Sequence, residues 1–239
     1  MWEHKSIYST IAYYAGLAAL ISLFISGSFL VYLPYIIILY FLGSITISVG
    51  YHRLFCHSAF KTSKLFHKLF AFFGVLFQFS SPLQWAVIHA SHHKYSDTNN
   101  DPHYPKPWSL FLRKYRTVPL NAFKIKRLLR NGHYHFIIYK YYQLIYLCIL
   151  LALLAISPSF ILCVYLPVLG LLHLVGSIHT TFSHWNDNPR DLAFMEFLLP
   201  ASGEWLHGHH HDYPRNASFR SKWWHFDLGA IVIKLIKTN

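Results

Sequence analysis

The residues best able to do chemistry in this chain are histidines, and they are grouped. They read His52-Arg-Leu-Phe-Cys-His57, His89-Ala-Ser-His92-His93, a single His184, and His207-Gly-His-His210-His211. A lone histidine is usually a core or surface residue. Two groups with the shared spacing HxxHH, together with a third box, form the pattern of a metal site, because the neutral imidazole is the commonest protein metal ligand. Each helical residue advances by about 100°, so His89, His92 and His93 are expected to fall within one arc and point at one place. His207, His210 and His211 are expected to do the same. His52 and His57 are five apart, about 140° around an α-helix; they are expected to reach two different metals, or the helix breaks between them. Eight or nine imidazoles exceed the four that one zinc ion needs and call for two ions. By ligand type alone, zinc, copper, iron and nickel all suit an all-nitrogen site.

The remaining histidines have plainer readings. His4, His67, His133, His135 and His225 are expected at the membrane interface or in solvent. His173 falls in the middle of an apolar run and should hydrogen-bond to a neighbouring helix. His209 should point away from the other members of its box.

The elements that must carry these groups are apolar helices. Of 239 residues, 54% are apolar and 13% are charged, a low charge content for a soluble protein. Residues 7–26, 28–51 and 141–182 contain no charged side chain, and Ser157-Pro158-Ser159 divides the last run. About 20 apolar residues cross a bilayer. The expected fold is therefore all-α and integral to the membrane. It has four spans in two hairpins (about 7–26, 29–51, 139–157 and 159–182), with interfacial helices and a His-rich cap from 52–138 and 183–239, in a single domain. The first run, followed at once by a second span, reads as a membrane segment and not a cleaved signal. Residues 64–80 are apolar but short and basic-flanked, as in a helix lying on the membrane. Tyr134, Tyr139, Tyr141, Tyr142 and Tyr146 read as an interfacial aromatic belt.

All 21 lysines and arginines lie in 1–6, 52–140 or 183–239, and none in the turns near 27 and 158. The positive-inside rule puts both termini, and with them every histidine group, on the cytoplasmic side. The formal net charge of +12 favours anionic headgroups or an anionic substrate; with the basic residues beside the membrane, nucleic acid is not expected as a partner. Cys56, Cys148 and Cys163 show no CxxC spacing and are expected to stay unpaired.

The motifs themselves resemble the membrane fatty acyl desaturases of the stearoyl-CoA (Δ9) type. The match runs from about residue 33 to 235: HRLFCH, then HASHH followed by KYSDTNNDPH, then GEWLHGHHH, then KWWHFD. HxxHH alone is shared with sterol oxidases, hydroxylases and alkane monooxygenases. HRLxxH, the DPH after the second box, the GE before the third and WWxFD after it are more specific. The resemblance implies four spans with a cytosolic cap, two iron ions held almost entirely by histidine, O2 as oxidant, and a fatty acyl chain in a bent tunnel. It places iron ligands at His52, His57, His89, His92, His93, His207, His210 and His211. The family's further ligand, in the pattern N-x-x-x-H, matches Thr180-Thr-Phe-Ser-His184, which makes His184 the ninth ligand with His179 as the alternative. Thr180 then stands where the family has an asparagine. Thr180, His103 and Glu204 are expected just outside the ligand sphere. The family's GEGxHN becomes Gly203-Glu204-Trp205-Leu206-His207-Gly208, which changes the wall near the third box. Trp85, Trp108, Arg113 and Lys114 resemble positions that contact the acyl chain and the phosphates of its carrier; interfacial tryptophan and positive-inside charge explain them equally well. The chain reads as a minimal bacterial or viral-like version of the family.

Taking hydrogen from an unactivated methylene is beyond carboxylates, thiolates or acid–base groups, and is the task of two irons with O2. No haem, flavin or iron–sulfur motif is present, so an external donor of the ferredoxin or cytochrome b5 kind is implied, with an acidic surface suited to a basic face. The carrier can be CoA, acyl carrier protein or a lipid. The nearest alternative is a hydroxylase with the same metals. A His-rich membrane metal transporter would need ligands in mid-membrane, where only His173 qualifies.

Overall fold

The computed structural model describes residues 7–103 and 122–238, and within them every regular element is helical. Isolated bridges join Thr62 to Lys237 and Asp191 to Leu206. In order the helices are α1 (Ile7–Ile25), α2 (Phe29–Cys56), α3 (Lys64–Leu76), α4 (Pro82–Tyr95), α5 (Ala122–Asn131), α6 (Tyr134–Ile156), α7 (Pro158–Ser183), α8 (Met195–Leu198), α9 (His207–Asp212) and α10 (Leu228–Ile236). Three of them, α2, α6 and α7, are long and apolar enough to cross a membrane, and Thr10–Ile25 of α1 is a shorter apolar helix.

Helix boundaries follow local chemistry. Ser63, Ser81 and Asp227 cap α3, α4 and α10 by accepting from the backbone N–H groups of Phe66, Gln84 and Ala230, which satisfies donors that helix starts leave open. Pro82 occupies the first turn of α4, where its missing N–H costs nothing. α1 lies against α7 at Gly16 and Gly170, where a Cβ on either would strike the backbone of the other; small residues are what permit such close helix approach.

The last eleven residues of α2, Thr46–Cys56, are π-helical. The register continues into the cap, where the His57 N–H donates to the His52 carbonyl at 3.1 Å. π-Helical segments are rare and gather at functional sites. This one is almost entirely buried, and it carries the first histidine box.

The tail is fastened to that segment by a buried ion pair. Arg53 Nη1 donates to Asp227 Oδ1 at 2.9 Å, and both side chains are 0% exposed. Arg53 also donates to the carbonyls of Ser202 and Ala217 and lies 3.7 Å over the Phe219 ring. Asp227 accepts from the Phe219 and Ala230 N–H groups. The arginine of HRLxxH and the aspartate of WWxFD thus meet across 174 residues. A Cβ at Gly203 or Gly229 would collide with this pair.

Three expectations are corrected. His135 and His225 are buried, not exposed; the His135 ring is enclosed by Phe55 and Tyr134. Tyr142 and Tyr146 belong to the core instead of an interfacial belt, because their face of α6 packs inward. His173 does meet a neighbouring helix end, at 3.1 Å from the Phe77 carbonyl. Among the described residues, no disulfide joins Cys56, Cys148 or Cys163.

Removing one partner of a fully buried ion pair strands the other, at about 3–5 kcal/mol. Asp227→Ala should therefore lower the free energy of unfolding in detergent, read from denaturation curves, by that amount. A loss no larger than that of a surface pair, about 1 kcal/mol or less, would contradict the latch.

Candidate metal centre

The histidine boxes converge on two neighbouring points. His52, His57, His89, His93 and His210 form one cluster, and His92, His184, His207 and His211 the other; within each, all ligand nitrogens lie within 4.8 Å of one another. The structure therefore brings together the eight box histidines and His184. His179 lies outside both clusters: its Nε2 meets the Glu204 carbonyl at 2.8 Å and its ring stands edge-on to Trp205 and His207.

The way each box divides overturns the one-arc expectation. On α4, His89 and His93 stay together, with Nε2 atoms 3.0 Å apart, while His92 turns to the other cluster. On α9, His207 and His211 pair at 3.0 Å and His210 crosses over. Residues four apart on a helix are neighbours on one face, and the third residue, offset by most of a quarter turn, reaches the second point. The two HxxHH boxes use this rule in opposite senses, so each contributes a pair to one cluster and a single ligand to the other. His209 is outside both clusters; its ring lies beside Tyr213.

His52 and His57 also depart from expectation, since both belong to the five-histidine cluster. In an α-helix they would diverge. The i→i+5 bonding of the π-helix sets residues five apart one above the other, and the bond from His57 N–H to His52 carbonyl is of this kind.

Three ligands are backed by carboxylates. Nδ1 of His52 donates to Glu204 at 2.6 Å, that of His92 to Asp101 at 3.0 Å, and that of His184 to Asp97 at 2.9 Å. Burial opposes charge on Glu204, yet the adjoining His52, with Arg53 and His179, holds its carboxyl down at about 2. Burial likewise opposes charge on Asp101, and the hydrogen bonds it accepts from the His92 ring and the His103 backbone hold it below the usual carboxylate range. An ionised carboxylate can only accept, so the ring proton of each partner sits on Nδ1.

This has a direct consequence at the other nitrogen. Nε2 of His92 and Nε2 of His184 are 3.2 Å apart, and with both protons on Nδ1 neither can donate. His52 Nε2 faces His210 Nε2 at 2.8 Å, and His184 Nε2 faces His207 Nε2 at 2.7 Å. Burial first, and then the neighbouring imidazoles, pushes His89, His207 and His210 well below the ordinary histidine range, and His211 down as well. These are largely buried neutral rings whose ring nitrogens crowd together, a donor set suited to a cation. Metal–imidazole bonds of about 2.0–2.1 Å put neighbouring ligand nitrogens at about these separations, so the residues fit two metal ions.

The cavity beside the centre has a volume of about 340 Å³. His52, His89, His92 and His207 form part of its wall, so both clusters border it. Trp85 lines it too, stacked on His89 at 4.6 Å. Thr180 lines it one turn before His184, with its hydroxyl donating to the Gly176 carbonyl. His103 also faces the cavity, its ring 5.1 Å from that of His92. Gly176 borders it with nothing within 4 Å of where a Cβ would stand. Trp108, Arg113 and Lys114 lie outside the described residues.

Sequence reasoning missed the roles of Asp97, Asp101 and Glu196. The Glu196 carboxylate accepts from the N–H groups of Ala201, Gly203 and Trp205 and shapes the turn before the third box. The first two had a usable signal: metal-ligating histidines almost always pass their other ring proton to a carboxylate, carbonyl or water, and DTNND begins four residues after the second box.

Loss of an outer partner costs roughly 10–100-fold in metal affinity, and loss of a ligand should cost more. His184→Ala should therefore release one of the two ions, whereas His179→Ala should retain both, as read by elemental analysis of purified protein. The reverse result would exchange the two residues.

Comparison with known proteins adds the lineage. The chain is 28% identical over 218 residues to icosanoyl-CoA 5-desaturase of Limnanthes douglasii, covering 82% of this chain and 59% of that protein. It is 27% identical over 205 residues to an acyl-CoA C20 Delta5-desaturase of Anemone leveillei, covering 80% and 65%. It is 28% identical over 213 residues to sn-1 stearoyl-lipid 9-desaturase of Synechocystis sp., covering 81% and 65%. The chain thus spans about three fifths to two thirds of the length of these relatives. The fatty acid desaturase family model matches residues 27–228, a stretch that contains all three boxes, His184 and the Arg53–Asp227 latch, and the chain belongs to that family.

Proposed function

We propose that this protein is an O2-dependent fatty acyl desaturase with two iron ions. The observation that carries this reading is the pair of all-imidazole clusters bordering one cavity. Bound iron would supply the oxidising power, with O2, to remove two hydrogens from adjacent methylenes. The balance is one –CH2–CH2– unit, one O2, two electrons and two protons giving –CH=CH– and two waters.

The chain's own residues do the positioning. His52, His57, His89, His93 and His210 would hold one iron, and His92, His184, His207 and His211 the other. Glu204, Asp97 and Asp101 fix the ring orientation of three of these ligands. The Trp85 indole, stacked on His89, would hold the acyl chain against the metal end of the cavity; such a fixed, water-excluding pocket gives the oxidant one bond to attack. The double-bond position suggested by the motifs is Δ9.

The four-span topology belongs to the same reading. At 19 residues and 1.5 Å per residue, α1 is about 28 Å long, close to the roughly 30 Å hydrocarbon core. It would be the fourth crossing and would place the histidines and both termini on the cytoplasmic side. Electrons would come from an external ferredoxin or cytochrome b5-type donor. One relative named above acts on a CoA ester and another on a lipid-linked acyl chain; Arg113, Lys114 and Trp108 are the candidates here for holding the carrier.

The test is the fatty-acid profile, by gas chromatography with mass spectrometry, of cells expressing this chain beside a His92→Ala control. A new monounsaturated acid in the wild type alone is expected, and it reports chain length and bond position together. A new hydroxy acid would move the chain to the hydroxylases. A side chain at Gly176 would project into the cavity, so Gly176→Leu should shift the product toward shorter chains. An unchanged profile would show that the acyl chain does not pass that residue.

A further inference from the structure

The three carboxylates are not shared evenly. Among the described residues, the five-histidine cluster has one, Glu204 on His52, whereas the four-histidine cluster has two, Asp101 on His92 and Asp97 on His184. The cluster with fewer histidines therefore has more of these carboxylates behind it.

The two aspartates also belong to one local unit. Asp101 Oδ2 accepts from the Asp97 N–H at 3.1 Å, and its Oδ1 accepts from the His103 N–H at 2.9 Å. Ser96 Oγ donates to Asp97 Oδ2 at 3.0 Å. Asp97 has φ of 62°, a left-handed conformation that costs energy outside glycine and is tolerated best by aspartate and asparagine. The turn after α4 thus holds both carboxylates in place, each behind a different ligand. Glu204 is anchored separately, by Ser48 Oγ at 2.6 Å.

An Nδ1–H donated to a carboxylate makes Nε2 a stronger donor to a metal and fixes the ring plane. Resting on the two-metal reading above, we propose that the two positions are unequal by construction. The four-histidine position depends on Asp97 and Asp101 to hold its ion. The five-histidine position has a fifth imidazole and needs Glu204 less. The 95–103 turn is, on this view, the positioning element of one metal only.

The experiment uses the full chain in detergent, stripped of metal and titrated with cobalt(II). Bound cobalt is counted by elemental analysis after exposure to a graded chelator and followed by its visible ligand-field bands. Wild type should hold two ions per chain. The double variant Asp97→Asn, Asp101→Asn keeps the shape and an acceptor oxygen but removes the charge. It should retain one ion tightly and bind the second more weakly by roughly 10–100-fold or more, with half of the visible spectrum lost. Glu204→Gln should retain two. Two ions held with wild-type affinity in the double variant would overturn the proposal. So would loss of both ions together while circular dichroism shows the helices intact, because the turn would then not act on one position. Wild type holding fewer than two ions would instead remove the two-metal reading itself. A chain that binds two ions yet makes no unsaturated acid would fail as a desaturase and leave this inference standing.

Discussion

The rest of the structure depends on one electrostatic constraint: nine imidazoles, seven of them buried, crowd their ring nitrogens into two small volumes. Burying so many polar rings is costly unless each nitrogen finds a partner. The rings are drawn from α2, α4, α9 and the end of α7, with up to 158 residues between contacting members. Local propensity cannot hold such an arrangement. It needs a scaffold that fixes each helix against the others in the absence of attraction between the groups themselves.

The π-helical end of α2 is the piece on which that scaffold turns. Its i→i+5 bonding sets His52 and His57 on the same side. Arg53, next in sequence to His52, is aimed at the tail instead, where Asp227 and the carbonyls of Ser202 and Ala217 receive it. Ser48, one turn earlier, reaches Glu204 and the Ser202 carbonyl. The first box therefore clamps the third by two routes, one ionic and one through hydroxyl hydrogen bonds. The Phe219 ring lies under Arg53 and beside His210, so the latch also closes the back of the five-histidine cluster.

The second box is secured differently. α4 is capped at Ser81 and started by Pro82, and it ends in a turn whose carboxylates reach back to ligand rings. A helix and its exit turn thus act as one part, with His89 and His93 in one cluster, His92 in the other, and Asp101 behind His92. The use of i,i+4 pairs in opposite senses on α4 and α9 divides the histidines of two boxes between the two clusters while keeping each helix short.

Much of the centre was legible from residue order. HxxHH spacing, the count of imidazoles, and the expected placing of every histidine group on one side of the membrane pointed to a site built from the residues that do converge. Helix positions followed from charge-free runs, because burial in lipid leaves a compositional mark. His184 was separable from His179 only by motif, and the structure separates them by where the two rings lie. The apportioning of ligands, the common cluster of His52 and His57, and the carboxylates behind His92 and His184 were not legible. Residue order by itself determined which groups exist and which helices carry them, since ligand type, apolar length and charge are local properties. Only the tertiary structure decided which nitrogen faces which, because that depends on the π-helical register, on helix rotation set by packing, and on contacts such as Arg53–Asp227 between residues far apart in the chain.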